Sequence, residues 1–178
     1  PTLSTVLARL HLVRHGEVHN PGGVVYAGLP GYPLSALGRS QAAAAAEHLA
    51  DSGASVLVTS PLDRARETAS FIASRLGLEP VIDEGLTEWG LSTRWAGTAW
   101  SDLDQTFPGE LAAYASNPAD LAFSPESLTE LALRAEAAIL RLECLQAGEV
   151  AIAVSHQDPI QALRRSLLRR GFADFHTD

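Results

Sequence analysis

Leu12-Val13-Arg14-His15-Gly16-Glu17 decides the reading of this chain. A short apolar run from Leu10 to Val13 reads as a buried parallel strand, and it stops on an arginine, a histidine and a turn glycine. Two further runs end the same way. Val56-Leu57-Val58-Thr59-Ser60-Pro61 is followed by Arg64, and Ala151-Ile152-Ala153-Val154-Ser155 by His156. Open parallel sheets bind ligands outside the carboxyl ends of their strands. Three separated segments are therefore expected to bring two imidazoles and two guanidiniums to one site, and the ligand that such a set suits is a phosphate group.

Outward from these strands the pattern alternates. Pro21 to Pro33 is rich in glycine and proline and reads as a loop. Ser35 caps a predicted helix from Ala36 to about Asp51. A strand over 55–59, a helix over 61–76 with Gly77 beyond its end, and a short strand over 80–82 follow. Residues 84 to 126 hold all three tryptophans and read as an insertion roofing the site, with short helices at Thr98–Gln105 and Gly109–Ala115. Ser127-Leu128-Thr129-Glu130 is a capping box opening a long helix that ends near Gly148. Val150–Val154 is the fourth strand and Pro159–Arg170 the last helix. This order predicts an α/β fold, a three-layer α/β/α sandwich on a mostly parallel central sheet. One domain spans 1–178, with the lid-like region at about 84–126.

Composition narrows the function. The chain has 178 residues, 46% of them hydrophobic, and a net charge of −8, which disfavours a general nucleic-acid partner. It contains no lysine, so Walker-type phosphate lysines and Schiff-base chemistry are excluded. Cys144 is the single cysteine, which excludes an intramolecular disulfide and a thiolate cluster and leaves a small buried helix residue. No apolar run approaches a membrane span, and Pro1–Leu7 lacks the basic and apolar regions of a signal peptide. The expectation is a cytoplasmic protein with neither membrane nor nucleic-acid partner. A homodimer suits the fold, although no surface is marked for it.

The ordered set of motifs resembles the histidine phosphatase superfamily, which includes phosphoglycerate mutases and broad-specificity phosphatases. Leu34–Ala42, Ser60–Thr68, Leu86-Thr87-Glu88, Glu126-Ser127 and Val154-Ser155-His156 follow the opening motif in the family order. The resemblance covers nearly the whole chain; the family usually continues into at least one further strand beyond the last helix, and no such run is legible before Asp178. It departs at Trp95-Ala96-Gly97, where the family often has an acidic middle residue, at His19, and at Gln157, where many members have glycine.

The resemblance implies roles as well. His15 would be the nucleophile that becomes phosphohistidine. Arg14 and Arg64 would keep it neutral and grip the phosphoryl oxygens. His156 would hydrogen-bond the phosphoryl group as a charged donor. Glu88 would be the general acid, with Glu84 as the alternative. Asn20 would contact phosphate, and Gly16 would let the backbone turn beside it. Either a backbone amide near Gly16 or the Ser155 hydroxyl would orient His15. The reaction would be a double displacement on a small phosphorylated metabolite, with no metal and no cofactor. Glu17 reads as scaffold, His11 as core packing, His48 and His176 as exposed residues, and Arg164, Arg165, Arg169 and Arg170 as a solvated helix face. Residues 89–126 carry only Arg94 as a cation, which favours hydrolysis over a phosphoglycerate mutase-type transfer. A protein phosphohistidine phosphatase and a non-enzymatic phosphate sensor are the other readings.

Overall fold

The computed structural model describes residues 3–142 and 148–176. Cys144 lies outside them. In chain order the elements are α1 (Leu3–Val6), β1 (Leu7–Arg14), α2 (Ala36–Leu49), β2 (Val56–Thr59), α3 (Asp63–Leu76), β3 (Pro80–Ile82), α4 (Gly90–Arg94), α5 (Leu103–Thr106), α6 (Glu110–Ser116), α7 (Leu128–Leu140), β4 (Glu149–Ser155) and α8 (Gln157–Leu167), with 3₁₀ turns at Glu84–Leu86 and Trp100–Asp102.

Every strand pairing is parallel, and the order is β1-β4-β2-β3. The two-residue period of a strand sorts its side chains onto two faces. Val56, Val58, Ala151 and Ala153 pack with Ala135, Ala138 and Ile139 of α7 and Leu163 of α8. Leu57, Ile152 and Val154 pack with Ala46 and Leu49 of α2 and Ala65, Ala69 and Ile72 of α3. The result is the expected three-layer sandwich. Burying a valine, leucine or isoleucine stabilises by roughly 1.5–3 kcal/mol, so these two faces are the main drive to fold.

Local chemistry sets the helix ends. The Ser35 hydroxyl accepts from the Gly38 N–H at 3.0 Å. Ser127 and Glu130 exchange the two bonds of the capping box. Gly77 closes α3 with φ 70, a left-handed conformation that glycine adopts freely. Helix α7 ends at Leu140, short of the expected Gly148, and residues 143–147 lie outside the described part.

The stretch after β3 builds its own core. Trp89, Leu91, Trp95 and Leu103 pack with Val25 and Ala27 of the glycine- and proline-rich loop, Leu128 and Leu131 of α7, Ala162 of α8, and Phe175. Two backbone bonds, Val25 N–H to Thr98 O and Gly97 N–H to Val25 O, both 2.8 Å, strap that loop to it.

One expectation about the C-terminal part needs correction. Among the described residues no strand follows α8. The chain instead turns at Arg169, φ 54, and lays Phe175 against Trp89, centroids 6.3 Å apart. Arg165 is consequently not on a solvated face. It is buried, and its guanidinium donates to the carbonyls of Gly171 and Asp174 at 2.6 and 3.0 Å. Among the described residues no helix is long and apolar enough to cross a membrane.

Candidate active site

The carboxyl ends of β1, β4 and β2 converge as the motifs require. His15 follows β1, and its N–H still pairs with Ser155 O of β4 at 3.1 Å. Its ring Nδ1 lies 2.8 Å from Gly16 O. A carbonyl only accepts, so Nδ1 carries the proton and Nε2 keeps its lone pair. Arg64 Nε donates to that lone pair at 3.2 Å. Helix α3 aims Arg64 there because Arg64, Ala65, Thr68, Ala69 and Ile72 form its buried face. The arginine is only 1% exposed, lies 4.7 Å from the centre of the Tyr26 ring, and also donates to Ala27 O at 2.7 Å. Burial lowers the His15 pKa to about 4; the Gly16 carbonyl opposes this, and the charges of Arg64 and Arg14 add to it. The imidazole is therefore neutral near pH 7.

The group orienting His15 is thus the Gly16 carbonyl, neither a backbone amide nor the Ser155 hydroxyl. Ser155 Oγ donates to Leu86 O at 2.7 Å, and the Gly16 N–H donates to Thr68 Oγ1 at 3.1 Å. With its amide so engaged, Gly16 has a different task from lining a phosphate. A Cβ there would sit 2.3 Å from Gly38 O, and one at Gly38 would sit 2.0 Å from Glu17 O. The two glycines let α2 lie directly on the backbone beside the histidine. Glu17 is scaffold, accepting from the Ser35 hydroxyl at 2.6 Å.

His156 is fully buried, with its ring 5.1 Å from that of His15. The expected positive charge is not supported. Burial depresses its pKa well below the usual histidine value, and the charges of Arg64 and His15 add to the effect. Its Nε2 lies 2.8 Å from Ser60 Oγ, which already accepts from the Leu62 N–H. The Ser60 hydroxyl has one proton and two lone pairs, so it pairs with Nε2 in either tautomer; when it donates to Nε2, the other nitrogen, Nδ1, is a neutral N–H donor. Among the described residues Nδ1 has no hydrogen-bond partner, and it lies 4.0 Å from Glu88 Oε2.

Arg14, Glu88, Gln157, Trp89 and Trp95 are among the residues lining an adjoining cavity of about 210 Å³. Arg14 is exposed and donates to Gln157 Oε1 at 3.1 Å. Burial, then the nearby Asp158 carboxylate, raises the Glu88 pKa to about 7; the Trp89 N–H, Arg64 and Arg14 pull the other way. Glu84 is exposed on the 3₁₀ turn before it and does not line the cavity. Asn20 faces its own loop: its Nδ2 donates to Val24 O at 2.9 Å and its Oδ1 accepts from Val24 N at 3.2 Å. It is a loop-closing residue here.

Two residues were not foreseen. Asp158 lies in the first turn of α8, buried on the cavity wall, and accepts from the Tyr114 hydroxyl at 3.3 Å. Burial raises its pKa to about 6. An acid two residues beyond a site histidine was a signal available in the sequence. Arg134, in mid-α7, left no such signal. It donates to the carbonyls of Gly85, Thr87 and Glu88 at 2.8, 2.9 and 2.9 Å and pairs with Glu126, whose other oxygen accepts from Gly90 N. This net fixes the segment that presents Glu88. Among the described residues no group of three or more His, Cys, Asp or Glu is placed to hold a metal ion.

A family model described as Histidine phosphatase superfamily (branch 1) matches residues 10–177. An uncharacterised Mycobacterium tuberculosis (strain ATCC 25618 / H37Rv) protein is 39% identical over 164 residues, covering 88% of this chain and 76% of its own length. The structure of a mycobacterial glucosyl-3-phosphoglycerate phosphatase superposes with a TM-score of 0.81 at 31% identity, over 94% of this chain and 82% of that one. The alpha-ribazole phosphatase of Shigella flexneri gives 0.75 at 28%, over 94% and 83%.

Proposed function

Because the chain belongs to the histidine phosphatase superfamily, we propose that it hydrolyses phosphate monoesters of small metabolites through a phosphohistidine on His15. One observation carries this reading. His15 is neutral, locked by Gly16 O in the tautomer that leaves Nε2 free of a proton, and set against Arg64. An imidazole in that state is a nucleophile, and one arginine beside it can bind a phosphoryl oxygen.

When a monoester enters, Arg64 exchanges its bond to Nε2 for one to a phosphoryl oxygen, and Arg14 holds another. His156 Nδ1, which lacks a hydrogen-bond partner among the described residues, donates its N–H to the same group. His15 Nε2 attacks phosphorus, the ester P–O bond breaks, and the Glu88 carboxylic acid protonates the departing alkoxide. Glu88, now a carboxylate, takes a proton from water as that water attacks the phosphohistidine. The P–N bond breaks, inorganic phosphate leaves, and both groups return to their starting states. Donors already aimed at the phosphoryl oxygens need no reorganisation as charge develops.

Residues of about 84–126 act as a roof that shapes the leaving-group side of the site. Arg94, their only cation, is paired with Glu110 at 2.8 Å, which leaves it unsuited to hold a phosphoglycerate carboxylate. This supports hydrolysis over mutase chemistry.

The test is p-nitrophenyl phosphate hydrolysis from pH 4 to 8 in EDTA, with His15→Ala alongside. Turnover lost in the variant, together with an acid-labile phosphoryl group trapped on His15 by rapid quench and mass spectrometry, is the expected result. Turnover retained by His15→Ala would overturn the mechanism.

A further inference from the structure

The phosphoryl end of the site uses Arg14 and Arg64. Beyond it the supply of positive charge stops. Arg94 makes three bonds to the Glu110 carboxylate. Arg134 is taken up by Glu126 and three backbone carbonyls. Among the described residues lining the cavity, the acids Glu88 and Asp158 face a single arginine, Arg14.

The remaining wall is mostly aromatic and aliphatic, with Ser92 and Gln157 as its uncharged polar side chains apart from the tyrosines. Trp89 and Trp95 both turn their ring N–H outward, to Glu126 O at 2.8 Å and to Glu110 Oε2 at 2.9 Å. They offer the cavity ring carbon and no donor. Asp158 is a buried polar group on that wall with acceptor capacity left. Among the described residues its donor is the Tyr114 hydroxyl, a single proton straddling both oxygens at 3.3 and 3.4 Å. A carboxylate has about four lone-pair sites, so most of this one awaits a donor.

We propose that the cavity selects leaving groups that carry no negative charge and donate a hydrogen bond, through a hydroxyl or an ammonium, to Asp158, and that it rejects leaving groups bearing a carboxylate. The inference rests on the phosphatase reading above and adds the substrate class to it. A carboxylate in this space would meet Asp158 with no free guanidinium to answer it, and like charges placed together discriminate strongly. A hydroxyl or ammonium would complete the Asp158 shell, and an ammonium would gain further from the tryptophan faces. The mycobacterial relative, named for a phosphoglycerate ester, would then differ from this chain at the leaving group.

The probes are glycerol 1-phosphate and 3-phosphoglycerate, which share the phosphoryl group and the 2-hydroxyl and differ by a terminal hydroxymethyl against a carboxylate, and phosphoethanolamine, which carries an ammonium. The readouts are kcat/KM for the wild type and Kd for His15→Ala by calorimetry, at pH 7.5. Either carboxylate-free ester is expected to be preferred over 3-phosphoglycerate by about 100-fold or more. The better of the two identifies the donor. Asp158→Asn is expected to narrow that ratio at least about tenfold, since it removes the repelling charge. Tyr114→Phe, which frees the carboxylate of its one donor, should keep or widen it. Equal use of 3-phosphoglycerate, or a ratio untouched by Asp158→Asn, would overturn the proposal. A ratio narrowed by Tyr114→Phe would do the same. A wild type inactive on p-nitrophenyl phosphate would sink the enzyme reading instead, while the Kd ratio would still judge the cavity.

Discussion

Adding one methyl group at Gly16 tests whether a backbone-to-backbone contact sets the nucleophile. The new Cβ would lie 2.3 Å from Gly38 O and 2.9 Å from Gly38 C and Cα, whereas ordinary contact starts at 3.4 Å. The shortfall is about 1.1 Å (3.4 less 2.3), and the obstacle is backbone, which cannot rotate aside. The N-terminus of α2 must move away from the end of β1, or His15 must move with Gly16. Overpacking of this kind costs about 1–3 kcal/mol, and a rigid obstacle puts Gly16→Ala near 3. For a domain of this size that lowers Tm by roughly 6–12 °C. The Gly16 carbonyl orients the His15 ring, so a shift near 1 Å should lower kcat/KM by about 100-fold as well. Gly38→Ala, whose Cβ would lie 2.0 Å from Glu17 O, strikes the same interface from the other side. Once α2 has moved, the second methyl meets less resistance, so the double variant should cost less than the sum of the singles. Urea denaturation and steady-state kinetics on the three proteins measure both effects. Gly16→Ala with stability within about 0.5 kcal/mol of wild type and unchanged kcat/KM would refute the reasoning.

The first chemical step needs His15 neutral and Glu88 protonated, so kcat/KM should form a bell with limbs near pH 4 and 7, and Glu88→Gln should abolish the upper limb on alkyl phosphates. Arg134→Ala releases the three carbonyls that fix the Glu88 segment; the expected loss is about tenfold or more on alkyl esters and clearly smaller on p-nitrophenyl phosphate, whose leaving group needs no proton, and an equal loss on both would point to a merely structural arginine. Asp158 is raised to about 6 in the fold, so its contribution to stability is full below the unfolded value near 3.8 and is lost as pH rises through 6. Asp158→Asn removes that loss, and its stability relative to wild type should grow from pH 4 to 7 by on the order of 2 kcal/mol and stay level above, as urea melts at fixed pH would show.

The legible parts of the fold were those written in local sequence. Ser35, Gly77 and Ser127–Glu130 act through bonds to residues a few positions away, and each sits where its chemistry indicated. The four strands were legible because short apolar runs bounded by turn residues have few other uses. The stretch from 84 to 126 was harder. Helix α4 has five residues and no side-chain cap, and it exists because Leu91 and Trp95 bury against α7 and the loop at Val25. The turn at Arg169 that buries Arg165 is likewise a tertiary event, whose partners are carbonyls that no residue pattern announces.

The site divides along the same line. A histidine or arginine placed at a strand end advertises its position, and His15, Arg14, Arg64 and His156 gather as their motifs indicated. Protonation state does not advertise itself, because it depends on what the folded chain withholds from water. Two histidines and two acids at this site are all pushed toward their neutral forms. The signs oppose each other. Between about pH 4 and 6.5 an unfolded chain would protonate the histidines and ionise the acids, so the histidines make stability rise with pH while the acids make it fall. The two sets therefore oppose each other across the window in which the proposed chemistry operates, and removing a titrating group from either side should tilt the pH dependence of stability toward the other. A site assembled from one kind of group would gain the same nucleophile or the same acid only at the cost of folding well at one end of its working range.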